Sequence, residues 1–540
     1  MKKNIIQFII VFIFSLLISF YNHREEISSN NTIYGDTAFY YLLDGINNPF
    51  KVQNDPILKS LANNIEFKKY LIFNPLSLIL LETFNKLTGN ISRTLIIFSF
   101  IIQIIAFFVF IKLSKIIFKN FDFWENLLVA IFLSLFFSTS DVFFGVLHRE
   151  AGFVLSVLTY IFFVSKRTYL FLVSSFFYAL FYSVSLPFIL TLNLFYFTFV
   201  KNKINKMISI AVLAVSAILS YILLRTSYFY DKLIAIRNGF EWKKYSIDFN
   251  FISRYFLNLN EYSELYIYFI YFLLLILLPC LIISINKKNI KKLINKNEAV
   301  LVSAIVISFL ISGIVISFPI ASRQGIFLIP LVIALLVLKG ISNISKKPVY
   351  SLITINILFL IPFTFLREKA VGFHSVDKEI VNYIMSDTDK NSIVFTHPAN
   401  DILHLLTSRL PYYYFEMETF GCAINKDICS EIMERFETSV DIYYTDSIDK
   451  VLKFLKDNHI DIVVVETKYY NTSYFNFNDD INSKIILRSW KSYSGNIKKR
   501  FALLELAKKY GNEDSGNFIN GVMDRVFKDY YKERQHENVQ

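Results

Sequence analysis

Eleven apolar runs leave this chain few folds to choose from. They cover residues 4–20, 92–111, 124–140, 150–165, 168–183, 185–200, 207–224, 265–284, 299–318, 324–338 and 349–366. A helix needs about 20 apolar residues to cross a bilayer core, with about 17 as a practical minimum. Most of these runs approach that length and offer no polar face to water. With 54% of its 540 residues hydrophobic, the chain is too apolar for an ordinary soluble protein and long enough for a membrane domain plus a second one. The sequence predicts a polytopic α-helical membrane protein of about 11 transmembrane helices. Tyr21, Asn22 and His23 follow the first run where a cleaved signal peptide would carry small residues, so that run is expected to remain as a helix. Ile, Phe, Asn, Lys and Tyr are used heavily throughout, and phenylalanine stripes therefore carry no cofactor signal.

The charge pattern orients these runs. A net charge of +12 would suit nucleic acid binding, but the cations gather in short loops between apolar runs. Lys2 and Lys3, Lys112 to Lys119, Lys166 and Arg167, Lys201 to Lys206, Lys287 to Lys296, and Lys339 to Lys347 all fall on one side when the N-terminus is cytoplasmic. That is the bias of an inserted helix bundle, with no nucleic acid partner implied. An odd number of spans then puts everything after about Arg367 outside. Counting 71–88 as a further span would reverse every later loop, and it contains Asn74, Pro75, Glu82, Asn85 and Lys86; it is expected to lie along the outer interface.

Three outer segments exceed a simple turn: 21–91, 225–264 and the tail 367–540. Loops of that length in a compact protein usually fold or act. The domains expected are therefore 1–366, transmembrane, and 367–540, a non-cytoplasmic soluble α/β domain. In the tail, 392–396 and 460–465 read as β-branched strands, and the helical pattern 447–458 leads into the second. No Gly-rich nucleotide fingerprint follows either strand. His397, His404 and Arg409 cluster in sequence without a cysteine or acid to complete a metal set. Cys422 and Cys429 bracket a short loop and would form a disulfide in an oxidising compartment.

Ionisable groups at membrane boundaries are the candidate site. Asp36 follows the first run, in Tyr34-Gly35-Asp36-Thr37; it is either a solvated loop aspartate or a base at the water–lipid boundary. Asp55 precedes Pro56 and reads as a turn former or as a second acid lining the site. Asp141, His148, Arg149 and Glu150 crowd one short outer turn, where charges are costly unless they pair or face a cavity. Arg149 could reach a phosphate through its planar guanidinium or pair locally with Glu150 or Asp141. Arg323 stands alone in the turn Pro319 to Gln324, to hold an anion or to snorkel to the interface. Loop 225–264 adds Arg225, Arg237, Lys243, Lys244 and Arg254 among aromatics.

This layout resembles the GT-C superfamily of membrane glycosyltransferases, which includes protein mannosyltransferases and oligosaccharyltransferase catalytic subunits. The resemblance lies in the acid after the first helix, the stretch Phe73-Asn74-Pro75-Leu76-Ser77 through Leu87-Thr88-Gly89-Asn90 and Arg93, and the soluble domain after the last span. The Trp-Trp-Asp block of oligosaccharyltransferases is missing. The resemblance implies transfer of a sugar from a polyprenyl-phosphate carrier to a glycan, lipid or protein acceptor, on the outer face of a bacterial inner membrane. It implies Asp36 as general base, Arg149, Arg323 and His148 at the phosphate, and Asp141 or Glu150 as a second acid binding the acceptor or a divalent metal ion. Two other readings stand beside it: a transporter or flippase for a lipid-linked or anionic solute, which would show internal repeats and broken helices, and a non-catalytic membrane scaffold.

Overall fold

The computed structural model describes residues 2–24, 32–33, 75–88, 91–139, 147–182, 186–199, 203–226, 264–286, 296–311, 318–344, 347–370, 374–375, 378–389, 392–398, 403–407, 409–413, 426–443, 445 and 447–465. The chain forms two compact units. The first comprises Met1–Thr37, Lys69–Tyr228 and Glu241–His374; the second comprises Ala38–Lys68, Phe229–Phe240 and Ser375–Gln540.

Each of the eleven apolar runs in the first unit is a helix. They are α1 (Lys2–Asn22), α3 (Ile91–Ile117), α4 (Phe123–Phe137), α5 (Leu147–Val164), α6 (Thr168–Phe181), α7 (Leu186–Phe199), α8 (Lys203–Thr226), α9 (Glu264–Asn286), α10 (Lys296–Ile311), α11 (Phe318–Ile344) and α12 (Pro348–Ala370). The segment expected to lie along the interface supplies α2 (Pro75–Thr88). Length is where the expectation of eleven spans is only partly met. Among the described residues, two stretches, Asn4–Asn22 and Arg93–Ile117, are long and apolar enough to cross a membrane. The helices α4, α6 and α7 have 15, 14 and 14 residues, and at about 1.5 Å per residue such helices fall short of a core about 30 Å thick.

The helix α4 is the hub. Val129, Ala130, Phe132, Leu133, Phe136 and Phe137 are fully or almost fully buried, as expected of a helix apolar all round. It packs on α1, α3, α11 and α12. Its start is set by a capping box: Asp122 Oδ1 accepts from the Glu125 amide at 2.8 Å, and Glu125 Oε2 accepts from the Asp122 amide at 3.0 Å. Polar side chains tie it sideways. Ser114 Oγ donates to Asn126 Oδ1 at 2.7 Å, and Asn356 Nδ2 on α12 donates to the Leu128 carbonyl at 3.1 Å.

The helices α5 and α6 form a tight pair. Lys166 adopts φ 56°, its amide bonds the Phe163 carbonyl at 3.1 Å, and the Arg167 amide bonds the Phe162 carbonyl at 3.0 Å. This is a Schellman turn with lysine where glycine is usual. On the pair's inner face, Gly152 lies so close to Tyr182 that a Cβ there would stand 2.6 Å from the Tyr182 Cβ. Buried charge is also paired inside this unit: Lys339 of α11 bonds both carboxylate oxygens of Glu298 on α10. At the end of the unit, β1 (Thr32–Ile33) neighbours β2 (His374–Ser375), whose first residue closes it.

The second unit holds α13 (Lys378–Asp387), β3 (Ile393–Phe395), α14 (Leu403–Thr407), β4 (Leu410–Pro411), α15 (Lys426–Tyr443), α16 (Ile448–Asp457) and β5 (Ile460–Val463). Its sheet runs β4-β3-β5 with both pairings parallel, as the strand–helix–strand spacing predicts. Asp461 is the extra residue where the β3–β5 register shifts, and its carboxylate accepts from the Ile393 amide at 2.8 Å. Phe395, Ile442, Tyr443 and Phe454 form the core. Ser447 caps the start of α16, which helps make that helix legible from sequence.

Candidate functional site

Four helices of the first unit bring polar groups together where a hydrocarbon core would otherwise continue. Asn22 ends α1 and is wholly buried. Its Nδ2 donates to Gln103 Oε1 on α3 at 3.0 Å and to Ser138 Oγ, just past α4, at 2.6 Å. One turn earlier on α3, Ser99 Oγ donates to Glu150 Oε1 on α5 at 3.1 Å. Ser99 and Gln103 are four residues apart, so the two sets stack on one face of α3.

Glu150 is the ionisable member of this cluster. It is 0% exposed, and among the described residues it shares deep burial as an acid with Glu298. Burying a carboxylate is costly unless it is hydrogen-bonded or compensated. Glu150 has the Ser99 hydroxyl, a place in the first turn of α5 and Arg149 beside it in sequence. Backbone amides at a helix start favour negative charge there. The local-capping alternative raised for this turn therefore has a physical basis, and it does not exclude a role with substrate.

His23 adjoins the cluster and is also fully buried. Its Nδ1 lies 2.9 Å from the Ser19 carbonyl, which can only accept, so Nδ1 carries the proton. Its ring meets Phe100 edge-on, with centroids 5.8 Å apart. Above this level, Thr94 Oγ1 of α3 bonds Thr88 at the end of α2 and donates to Asn85 Oδ1 at 3.4 Å. The α2–α3 corner thus adjoins the polar end of α3.

Of the residues expected at the site, Glu150 is in this cluster and Arg149 precedes it on α5. Asp36, Asp55 and Asp141 lie outside the described residues. His148 and Arg323 fall on α5 and α11, with their side chains outside the described ones. Asn22, His23, Ser99, Gln103 and Ser138 were missed. They are uncharged and sit at ordinary helix positions; the usable signal was the run of polar residues where the first apolar stretch ends.

No three His, Cys, Asp or Glu side chains among the described residues are grouped to hold a metal ion. The divalent site expected from Asp141 and Glu150 includes Asp141, which lies outside the described residues, and no step is assigned to a metal. In the second unit, Arg409 is a structural cap. Its guanidinium donates to the carbonyls of Ile384, Met385, Thr388 and Thr407 and to Thr388 Oγ1, at 2.7–3.2 Å. His397 lies just beyond β3 with its ring 4.8 Å from that of Tyr443, and His404 is buried on α14. Cys429 is disulfide-bonded; Cys422 lies outside the described residues.

No known protein-family profile matches the chain. A stretch of 28 residues, 5% of the chain, is 54% identical to part of the transcription antitermination protein NusB of Fervidobacterium nodosum. The match spans 20% of that protein's length and carries no argument about fold or activity here.

Proposed function

We propose that this chain is a GT-C-type membrane glycosyltransferase that moves a sugar from a polyprenyl-phosphate carrier to an acceptor. The observation that carries the reading is the buried Glu150–Ser99 pair beside Arg149, at the end of the bundle where α1 hands the chain to the segment containing Asp36. In this scheme Asp36 takes the acceptor's proton, and Glu150 supports the acceptor. Arg149, Arg323 and His148 hold the phosphate as the glycosidic bond breaks and charge collects on it.

A polytopic bundle of about eleven helices in a bacterial inner membrane, N-terminus cytoplasmic and second unit outside, is part of the proposal. Apolar exteriors support it: Ile5, Phe8 and Leu17 on α1, Leu275 and Leu278 on α9, and Ile357 and Ile361 on α12 are all about half exposed or more. Contiguous apolar surface of that kind belongs against lipid or a partner. A transporter reading draws on the buried Glu298–Lys339 pair, since ionisable pairs inside bundles often mark solute paths.

The deciding experiment is transfer from undecaprenyl-phosphate hexoses in proteoliposomes. Asp36→Asn is expected to lower transfer by roughly 10²–10⁴-fold, the scale of a lost general base, and Glu150→Gln to raise KM. Wild-type transfer by a folded Asp36→Asn protein would remove Asp36 from the mechanism. Hexose flux without transfer would favour the transporter.

A further inference from the structure

We infer that one end of α6, α7 and α8 is a docking surface for an anionic phospholipid, an inference that rests on the bilayer reading above and not on the sugar chemistry. Three helix ends are tied together there. The Tyr196 hydroxyl, near the end of α7, donates to Thr168 Oγ1 at the start of α6 at 2.6 Å, and its ring stacks on Phe171 with centroids 4.7 Å apart. Lys206, in the first turn of α8, holds its Nζ 5.2 Å from the centroid of the Phe197 ring on α7. Lys166 and Arg167, in the turn that enters α6, are exposed beside them. The result is a collar of three cations on the side that the charge pattern assigns to the cytoplasm.

This collar has no counter-charge nearby in the chain. Residues 151–230 contain no aspartate or glutamate, and among the described residues Lys166, Arg167 and Lys206 form no ion pair. Past the collar the surface stays apolar. Leu170, Val173 and Phe177 recur at helical spacing on the outside of α6, and Met207 and Ile210 follow Lys206 on the outside of α8. Tyr169, 72% exposed, stands at the boundary, where an amphipathic ring suits a headgroup layer. An acidic peptide or a nucleic acid would answer the cations and leave the stripes bare. A zwitterionic lipid would cover the stripes but bring its own cation to the collar. An anionic phospholipid answers both, with its phosphate among Lys166, Arg167 and Lys206 and its acyl chains along the stripes.

The test uses the full chain, stripped of lipid in a non-ionic detergent and titrated with dioleoyl phosphatidylglycerol. Dioleoyl phosphatidylcholine and chain-free glycerol phosphate are the contrasts. Phosphatidylglycerol should bind saturably in native mass spectra and raise the unfolding temperature. The combined variant Lys166→Gln, Arg167→Gln and Lys206→Gln should weaken that binding at least about tenfold while leaving phosphatidylcholine binding unchanged. Removing two exposed cations at the end of α3, by Lys112→Gln and Lys115→Gln, should leave phosphatidylglycerol affinity as it was. If the combined variant does not fold, Arg167→Gln alone reads the same contrast. Four results would overturn the inference: phosphatidylcholine binds as tightly as phosphatidylglycerol; the collar variant binds phosphatidylglycerol as the wild type does; the α3 variant loses as much, which makes the attraction diffuse; or glycerol phosphate competes with equal affinity, which leaves a free-phosphate site. Any of these in a chain that stays in the membrane pellet through an alkaline carbonate wash would remove the lipid site and leave the bilayer reading standing. Release by carbonate would remove both.

Discussion

Tyr412 follows β4 with its ring edge-on to Phe454, centroids 4.9 Å apart, and with the Arg435 guanidinium 5.4 Å above it. Burial pushes its phenol above the usual range; Arg435 opposes this and Glu434 adds to it. An unfolded tyrosine ionises near pH 10. The folded one holds its proton longer, so its contribution to stability is complete below about pH 10 and is lost as pH rises through the raised folded value. Thermal unfolding followed from pH 9 upward should show the second unit weakening beyond about pH 10, and Tyr412→Phe should flatten that decline while keeping the ring packing. An unchanged alkaline slope would assign the loss elsewhere. At this scale sequence reading found charges more readily than roles. Glu150 and Arg149 drew attention because membrane boundaries penalise charge. Arg409 stood out only beside His397 and His404, in a set with no cysteine or acid to complete a metal site, and it caps the carbonyls at the end of α13, a role that depends on the chain returning 21 residues after Thr388.

The pairing of α5 with α6 depends on the absence of one side chain. A methyl group at Gly152 would meet the Tyr182 Cβ, which is fixed to the backbone and cannot swing away. Gly152→Ala should therefore push the helices apart and cost about 1–3 kcal/mol, measured as a lower unfolding temperature in detergent. A neutral or stabilising result would mean that the pair shifts without strain. Helix positions were legible here because long apolar runs bounded by lysines have few alternatives. Helix lengths were less so. The run 124–140 is mostly apolar, but the helix stops at Phe137, where Ser138 and Thr139 turn their hydroxyls back onto the Ser134 and Phe136 carbonyls. Hydropathy counts side chains and does not see that competition for backbone acceptors.

For the whole molecule, the apolar exteriors of α1, α9 and α12 are the most consequential surface. If they face lipid, the chain should remain in the membrane pellet through an alkaline carbonate wash and enter solution only with detergent. Release by carbonate alone would contradict the bilayer assignment. The parallel strands of the second unit were readable because β-branched runs flank a capped helix. The buried polar cluster of the first unit was not. Asn22, Gln103 and Ser138 are ordinary residues on separate helices until packing joins them. The two-residue ladder between β1 and β2 has a consequence in time. Thr32 and Ile33 leave the ribosome early, but their partner strand is made only after the last helix of the first unit. The pairing of Thr32 and Ile33 therefore waits through most of synthesis, and a chain halted before His374 would lack it.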